Sequence, residues 1–182
     1  MLPVEEVSME AIEAIEARIA ERIGLPVRRL DALPASVNGW DPARRQRDSS
    51  ILLESVLRAR RAGAIRVLGV TESDLFIPML TFVFGQAQLG GAAALISLAR
   101  LRQEFYGLPP DGGILAERAV KEALHELGHT FGLVHCADPS CVASLATHVQ
   151  RLDGKESDFC RACAVRLADG IAAAAGGVEE RR

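Results

Sequence analysis

Three of the chain's four histidines crowd one stretch, His-Glu-Leu-Gly-His-Thr-Phe-Gly-Leu-Val-His-Cys, from His125 to Cys136. Residues four apart on a helix stack one turn above the other. A helix here therefore lets His125 and His129 offer ring nitrogens to a single metal ion, with Glu126 beside them as a base. Gly132 can take the left-handed conformation that ends a helix, and the chain can then turn back for His135 to supply a third nitrogen. Three neutral imidazoles with one open position are the donor set of a catalytic zinc. The bare pattern His-Glu-x-x-His also arises by chance in proteins that bind no metal, where the histidines simply pack or face solvent. The added Gly132 and His135 make zinc the working reading.

The flanking residues support the helix. At about 100° per residue, Ala116, Val120, Ala123, Leu124, Leu127 and Phe131 fall opposite His125 and His129. One side is expected to pack and the other to face a cleft, with Lys121 and Glu122 on polar flanks. Pro109 to Gly113 make a breaker, and the helix is expected to start near Ile114.

Length and composition set the frame. A chain of 182 residues, 49% hydrophobic, can build one good core and is too short for two ordinary domains, so one catalytic domain over 1–182 is expected. A formal charge of −3 argues against nucleic acid or an anionic membrane as partner. Arg44, Arg45 and Arg47, and Arg58, Arg60 and Arg61, are better explained as solvated faces. No apolar run approaches the ~20 residues of a membrane span, and the start Met-Leu-Pro-Val-Glu-Glu-Val lacks the features of a signal peptide. A cytoplasmic monomer is the expectation.

Before the histidines, the pattern alternates. Ser8 to Ile23 reads as a capped helix through Ile12, Ile15, Ile19 and Ile23, stopped by Gly24 and Pro26. Only Leu2 to Val7 precede it, so a first strand there is short or lost. Val27 to Leu33 is expected as a strand, Asn38 to Pro42 as a loop, Ser49 to Ala62 as a helix and Ile65 to Val70 as a buried strand. Thr81 to Ala87 and Ala92 to Leu98, separated by Gly90 and Gly91, read as neighbouring strands of a hairpin. Phe82 to Ala87 is a candidate open edge for an extended peptide, or equally an ordinary sheet strand. Towards the end, Arg161 to Ala175 has helical propensity, and Gly176 to Arg182 reads as a frayed tail. The order predicts an α/β or α+β fold with the histidine helix late in the chain.

All four cysteines, Cys136, Cys141, Cys160 and Cys163, lie in the last third, as Cys-x4-Cys and Cys-x2-Cys. In a reducing compartment this layout suits four thiolates around a closed structural zinc; two disulfides or free buried thiols are the alternatives. A redox pair lacks the thioredoxin-like context. His148 has no partner at ligand spacing and reads as an exposed loop residue.

His125, Glu126, His129, Gly132 and His135 stand at metzincin spacing, and the cysteines follow directly. With Asp74-Leu75-Phe76, Pro78, Phe82 to Gly85 and Ser97 to Leu101, the chain resembles the archaemetzincins, from about Ile65 to Cys163. The resemblance implies a metzincin fold, with a twisted mixed sheet and the zinc helix in an amino-terminal subdomain (1–135). A small carboxy-terminal subdomain (136–182) would carry a four-cysteine zinc site. It also implies two zinc ions, one catalytic on His125, His129 and His135 and one structural on Cys136, Cys141, Cys160 and Cys163. Glu126 would be the general base that assists attack by zinc-bound water on a peptide bond. Peptide or protein substrates follow, with aminopeptidase-like activity attributed to some of the family. The sequence departs from the family pattern at Ala143, where a methionine stands two positions after the second cysteine, and the segment between Cys141 and Cys160 is one residue shorter. The competing reading is a weakly active or inactive zinc-containing module that binds peptides or proteins.

Overall fold

The computed structural model describes residues 1–34 and 39–179. In chain order the elements are β1 (Leu2–Val4), α1 (Met9–Ile23), β2 (Trp40–Asp41), β3 (Gln46–Asp48), α2 (Ser49–Arg58), β4 (Val67–Thr71) and β5 (Leu75–Phe76). They continue as β6 (Gly85–Ala87), β7 (Ala93–Ser97), a 3-10 turn at Gln103–Tyr106, α3 (Gly112–Thr130), α4 (Val149–Asp153) and α5 (Arg161–Glu179).

A mixed four-stranded sheet lies at the centre, in the order β1-β4-β7-β6. The first three strands are parallel, and β6 runs antiparallel to β7 at the edge. Successive strand residues point to opposite faces. Leu68, Val70, Ala94 and Ile96 accordingly join the core with α1 and α3, whereas Val67, Ala93 and Leu95 join Leu52, Leu53 and Val56 of α2 on the other face. A side chain on Gly69 would sit 2.6 Å from a Val56 methyl, so glycine is what allows α2 to lie this close. A smaller sheet, β2-β3-β5, flanks the main one.

Local signals explain the long helices. Ser8 accepts a hydrogen bond from the Ala11 N–H at the start of α1, and Gly24 ends that helix with φ 70°. Ile12, Ile15, Ile19 and Ile23 are all buried, and α1 packs chiefly on α3. Asp111 caps α3 through the Ile114 N–H, so the helix begins at Gly112, earlier than the breaker residues imply. Gly132, at φ 92°, follows its end.

Several expectations are corrected. Val27 to Leu33 forms no regular strand: Val27, Leu30 and Leu33 are half-buried at every third residue, and the segment meets β1 in a single parallel bridge, Leu33 to Val4, with the Leu30 N–H bonding the Met1 carbonyl; Pro3, which has no N–H, can donate nothing to a longer ladder. Trp40 and Asp41, expected in a loop, pair with Arg47 and Gln46, while Asn38 lies outside the described residues. The second helix stops at Arg58, and α5 runs on through Gly176 to Glu179, while Glu180 to Arg182 of the expected tail lie outside the described residues. The short helix α4 was not expected at all. Arg47 is buried and ion-paired with Glu5 rather than solvated. Lys121 and Glu122 are not on polar flanks, since α3 is enclosed on nearly all sides from Arg118 to Gly128.

Ile15 has no solvent exposure and lies in the core shared by α1 and α3. Ile15→Ala is expected to lower the unfolding free energy by about 2–5 kcal/mol, measured by urea titration.

Candidate metal centre

Helix α3 carries His125 and His129 on adjacent turns, and two backbone carbonyls fix their rings. The Nδ1–H of His125 donates to the Val142 carbonyl at 2.9 Å, and that of His129 donates to the Leu133 carbonyl at 2.7 Å. The second acceptor is made by the helix end itself, where the Gly132 and Leu133 N–H groups turn back onto the His129 and Gly128 carbonyls. A carbonyl only accepts, so each Nδ1 holds the proton and each Nε2 presents a lone pair. Those two Nε2 atoms face each other at 3.1 Å. His135 comes round after Gly132, its ring nearly parallel to that of His125 (22°, centroids 5.3 Å apart) and 5.1 Å from that of His129.

The donor atoms of the three histidines all lie within 4.8 Å of one another. Two facing lone pairs repel unless a cation lies between them, and Zn–N bonds of about 2.0–2.1 Å set a tetrahedral edge of about 3.3 Å. The histidine cluster fits such an ion. Burial, then the nearby charge of Lys155 and the neighbouring His129, pushes the His125 pKa down to about 3, which keeps the ring in its neutral, ligating form. His135, more exposed, is lowered in the same direction, mainly by burial.

Glu126 is buried beside His125, and Glu122 lies one turn behind it with the two carboxyls in hydrogen-bonding contact. Burial raises both, Glu122 to about 7, and the neighbouring Glu122 adds to the rise of Glu126. Lys155, buried nearby, acts in the opposite sense on both carboxyls. Edge strand β6 closes on the same place. A Cβ built on Gly85 would meet Glu126 Cγ and the Leu95 carbonyl at 2.7 Å, so only glycine leaves room for this carboxylate.

The four cysteines gather into a second cluster and carry no disulfide. Their sulfurs lie within 4.8 Å of one another, and those of Cys136 and Cys160 are 3.8 Å apart. That is nearly twice a disulfide bond. It matches the edge of about 3.8 Å that Zn–S bonds of about 2.3 Å give a tetrahedron. A backbone hydrogen bond from Cys163 acidifies Cys160 to about 7, and burial raises Cys141 and Cys163.

Outside the two clusters, His148 is exposed and caps α4, and the Tyr106 hydroxyl donates to the Arg100 carbonyl. Ala143 is buried in the turn between the two clusters, its carbonyl accepting from the Cys136 N–H. Sequence reasoning missed Lys155, Glu122, Gly85 and the two carbonyls. Nothing in periodicity or spacing marks a charged side chain as buried, or a carbonyl as aimed at a ring. Gly85→Ala is expected to destabilise the fold by about 1–3 kcal/mol through this overpacking, read by urea titration.

Residues 47–169 match the model of peptidase family M54. The chain is 40% identical over 167 residues to the archaemetzincin of Methanocaldococcus jannaschii, covering 92% of this chain and 90% of that one. The crystal structure of archaemetzincin from Methanopyrus kandleri superposes with a TM-score of 0.82 at 35% identity, over 94% of this chain and 93% of that one. A zinc-dependent peptidase from Methanocorpusculum labreanum gives a TM-score of 0.82 at 31% identity, over 91% and 97% of the two chains. The fold thus matches the metzincin-like mixed sheet expected from the sequence, and this chain belongs to peptidase family M54, the archaemetzincins, which are zinc metallopeptidases.

Proposed function

We propose that the chain hydrolyses peptide bonds at a zinc held by His125, His129 and His135, with Glu126 as general base. Cys136, Cys141, Cys160 and Cys163 would hold a second, structural zinc. The observation that carries this reading is the pair of Nε2 lone pairs facing each other at 3.1 Å, each ring pinned by a carbonyl on its opposite nitrogen. The whole chain acts as one catalytic unit, 1–135 with the histidine helix and 136–182 stapled by the cysteines, working as a cytoplasmic monomer. Among the described residues, no helix is long and apolar enough to cross a membrane.

When bound, zinc supplies a Lewis acid that acidifies water and polarises a carbonyl. Glu126 takes the proton from the attacking water and hands it to the leaving amine. Its burial keeps it from sharing that proton with bulk solvent. The substrate lies along β6. The Ser97 N–H bonds the Phe84 carbonyl and the Gln88 N–H bonds the Ala93 carbonyl. In an antiparallel ladder the alternate residues then point their backbone groups outward. Gly85 and Ala87 are therefore the positions that would pair with an extended peptide beside Glu126.

A second reading is favoured by Ala143, which stands where the family pattern has a methionine: a zinc-containing module that binds peptides and cleaves them slowly or not at all. A peptide library with free and acetylated amino termini separates the readings. Chelator-sensitive turnover is expected, faster on free termini if the action is aminopeptidase-like, and its absence would favour the binding module. Glu126→Ala is expected to lower kcat by at least about 100-fold while zinc is retained. Elemental analysis should find two zinc ions per chain in the wild type and one in His129→Ala.

A further inference from the structure

The buried charges of α3 continue beneath the histidines into a segment that neither cluster uses. Asp153, at the end of α4, takes a two-pronged ion pair from Arg118 at 2.6 and 2.7 Å, and its carbonyl accepts from Lys121 Nζ at 3.1 Å. Arg118 also donates to the Leu101 carbonyl at 2.8 Å. This clamp seats α4 on α3 and delivers Lys155, just beyond it, into the interior at 3% exposure. There Lys155 Nζ donates to the Val142 carbonyl at 3.2 Å, the same oxygen that receives His125 Nδ1–H. Its charge also acts on the buried carboxyls of Glu122 and Glu126 on α3.

Burying an ammonium is costly unless hydrogen bonds and opposite charge offset the loss of water. For Lys155 the offsetting groups are one carbonyl and two carboxyls, and all three bear on the histidine site. Lys155 places a positive charge near two buried carboxyls one helical turn apart, and it is the second donor, beside the His125 ring, on the Val142 carbonyl. We propose that Lys155 is a positioning residue for both halves of the site. Through the Val142 carbonyl it fixes the ring orientation of His125, and as a buried positive charge near the Glu122–Glu126 pair it holds the carboxyl of Glu126 in place. The second half rests on the assignment of Glu126 as general base; the first does not.

The test compares the full-length wild type with Lys155→Met and Lys155→Met/Glu122→Gln. Zinc affinity of the histidine site is measured by chelator competition, with His129→Ala supplying the baseline for the cysteine site, and kcat and KM are measured on a cleaved peptide. Lys155→Met is expected to weaken zinc at the histidines about 10-fold and to lower kcat about 10–100-fold, with KM within about twofold of wild type. Adding Glu122→Gln, which leaves one carboxyl in place of two, is expected to recover kcat about 10-fold without restoring zinc affinity. Unchanged zinc affinity and kcat in Lys155→Met would overturn the proposal. So would an equal kcat loss in the single and double variants together with a raised KM, which is what a purely structural role produces. Should Lys155→Met not fold, the double variant, which removes a buried charge together with one of its counter-charges, decides: zinc affinity lowered about 10-fold supports the role of Lys155 and wild-type affinity refutes it. If the wild type cleaves no peptide, the peptidase reading fails, and the affinity comparison still judges Lys155.

Discussion

One peptide oxygen, the carbonyl of Val142, is the point on which the site depends. It receives the Nδ1–H of His125 from helix α3 and the ammonium of Lys155 from beyond α4. It thereby ties the helix, the turn between the two metal-type clusters and the carboxy-terminal segment together. A carbonyl has two lone pairs and can serve both donors at once. Because it cannot donate, it also decides the tautomer of His125 and turns Nε2 towards His129. The Leu133 carbonyl does the same for His129, from the turn that Gly132 makes possible. The ligating geometry is thus a property of the backbone around the histidines as much as of the histidines themselves.

The helix that carries the site is unusual in how much charge it buries. Arg118, Lys121, Glu122 and Glu126 are all enclosed. Each has a partner: Asp153 and Leu101 for Arg118, Glu117 and the Asp153 carbonyl for Lys121, and one another for the two glutamates. Such a network offers less stability than an apolar core of the same volume, because desolvation consumes most of the attraction between the charges. What it provides is a definite geometry beside the histidines. The apolar stabilisation comes from elsewhere, from the isoleucine face of α1 and from strands β4 and β7, whose alternate residues feed the cores on both sides of the sheet.

Much of this was legible in the chain. The isoleucine repeat and its cap predict α1 almost to the residue, and the paired glycines predict the β6–β7 turn. Histidine spacing brings His125, His129 and His135 to one point, and the cysteine layout does the same for Cys136, Cys141, Cys160 and Cys163. The failures have a common cause. Val27 to Leu33 reads as a strand because it follows a helix and a Gly-x-Pro break and precedes Pro34, yet it touches β1 only by a single bridge at Leu33 and buries every third residue. Lys121 and Glu122 read as solvated because helix periodicity is a statement about one face, and it cannot report that α4 and its neighbours cover the other.

By itself, then, the order of residues determined which groups were available to meet: three imidazoles, four thiols and a glutamate, at separations that a helix and two turns bring together. It determined these because helical rise and turn geometry are local, set by neighbours along the chain. Only the tertiary structure decided which way the His125 ring faces, that Gly85 leaves room for Glu126, and that a lysine distant in sequence lies under the site. Those are contacts between segments far apart in the chain. They depend on how helices and sheet pack, and no local pattern records that.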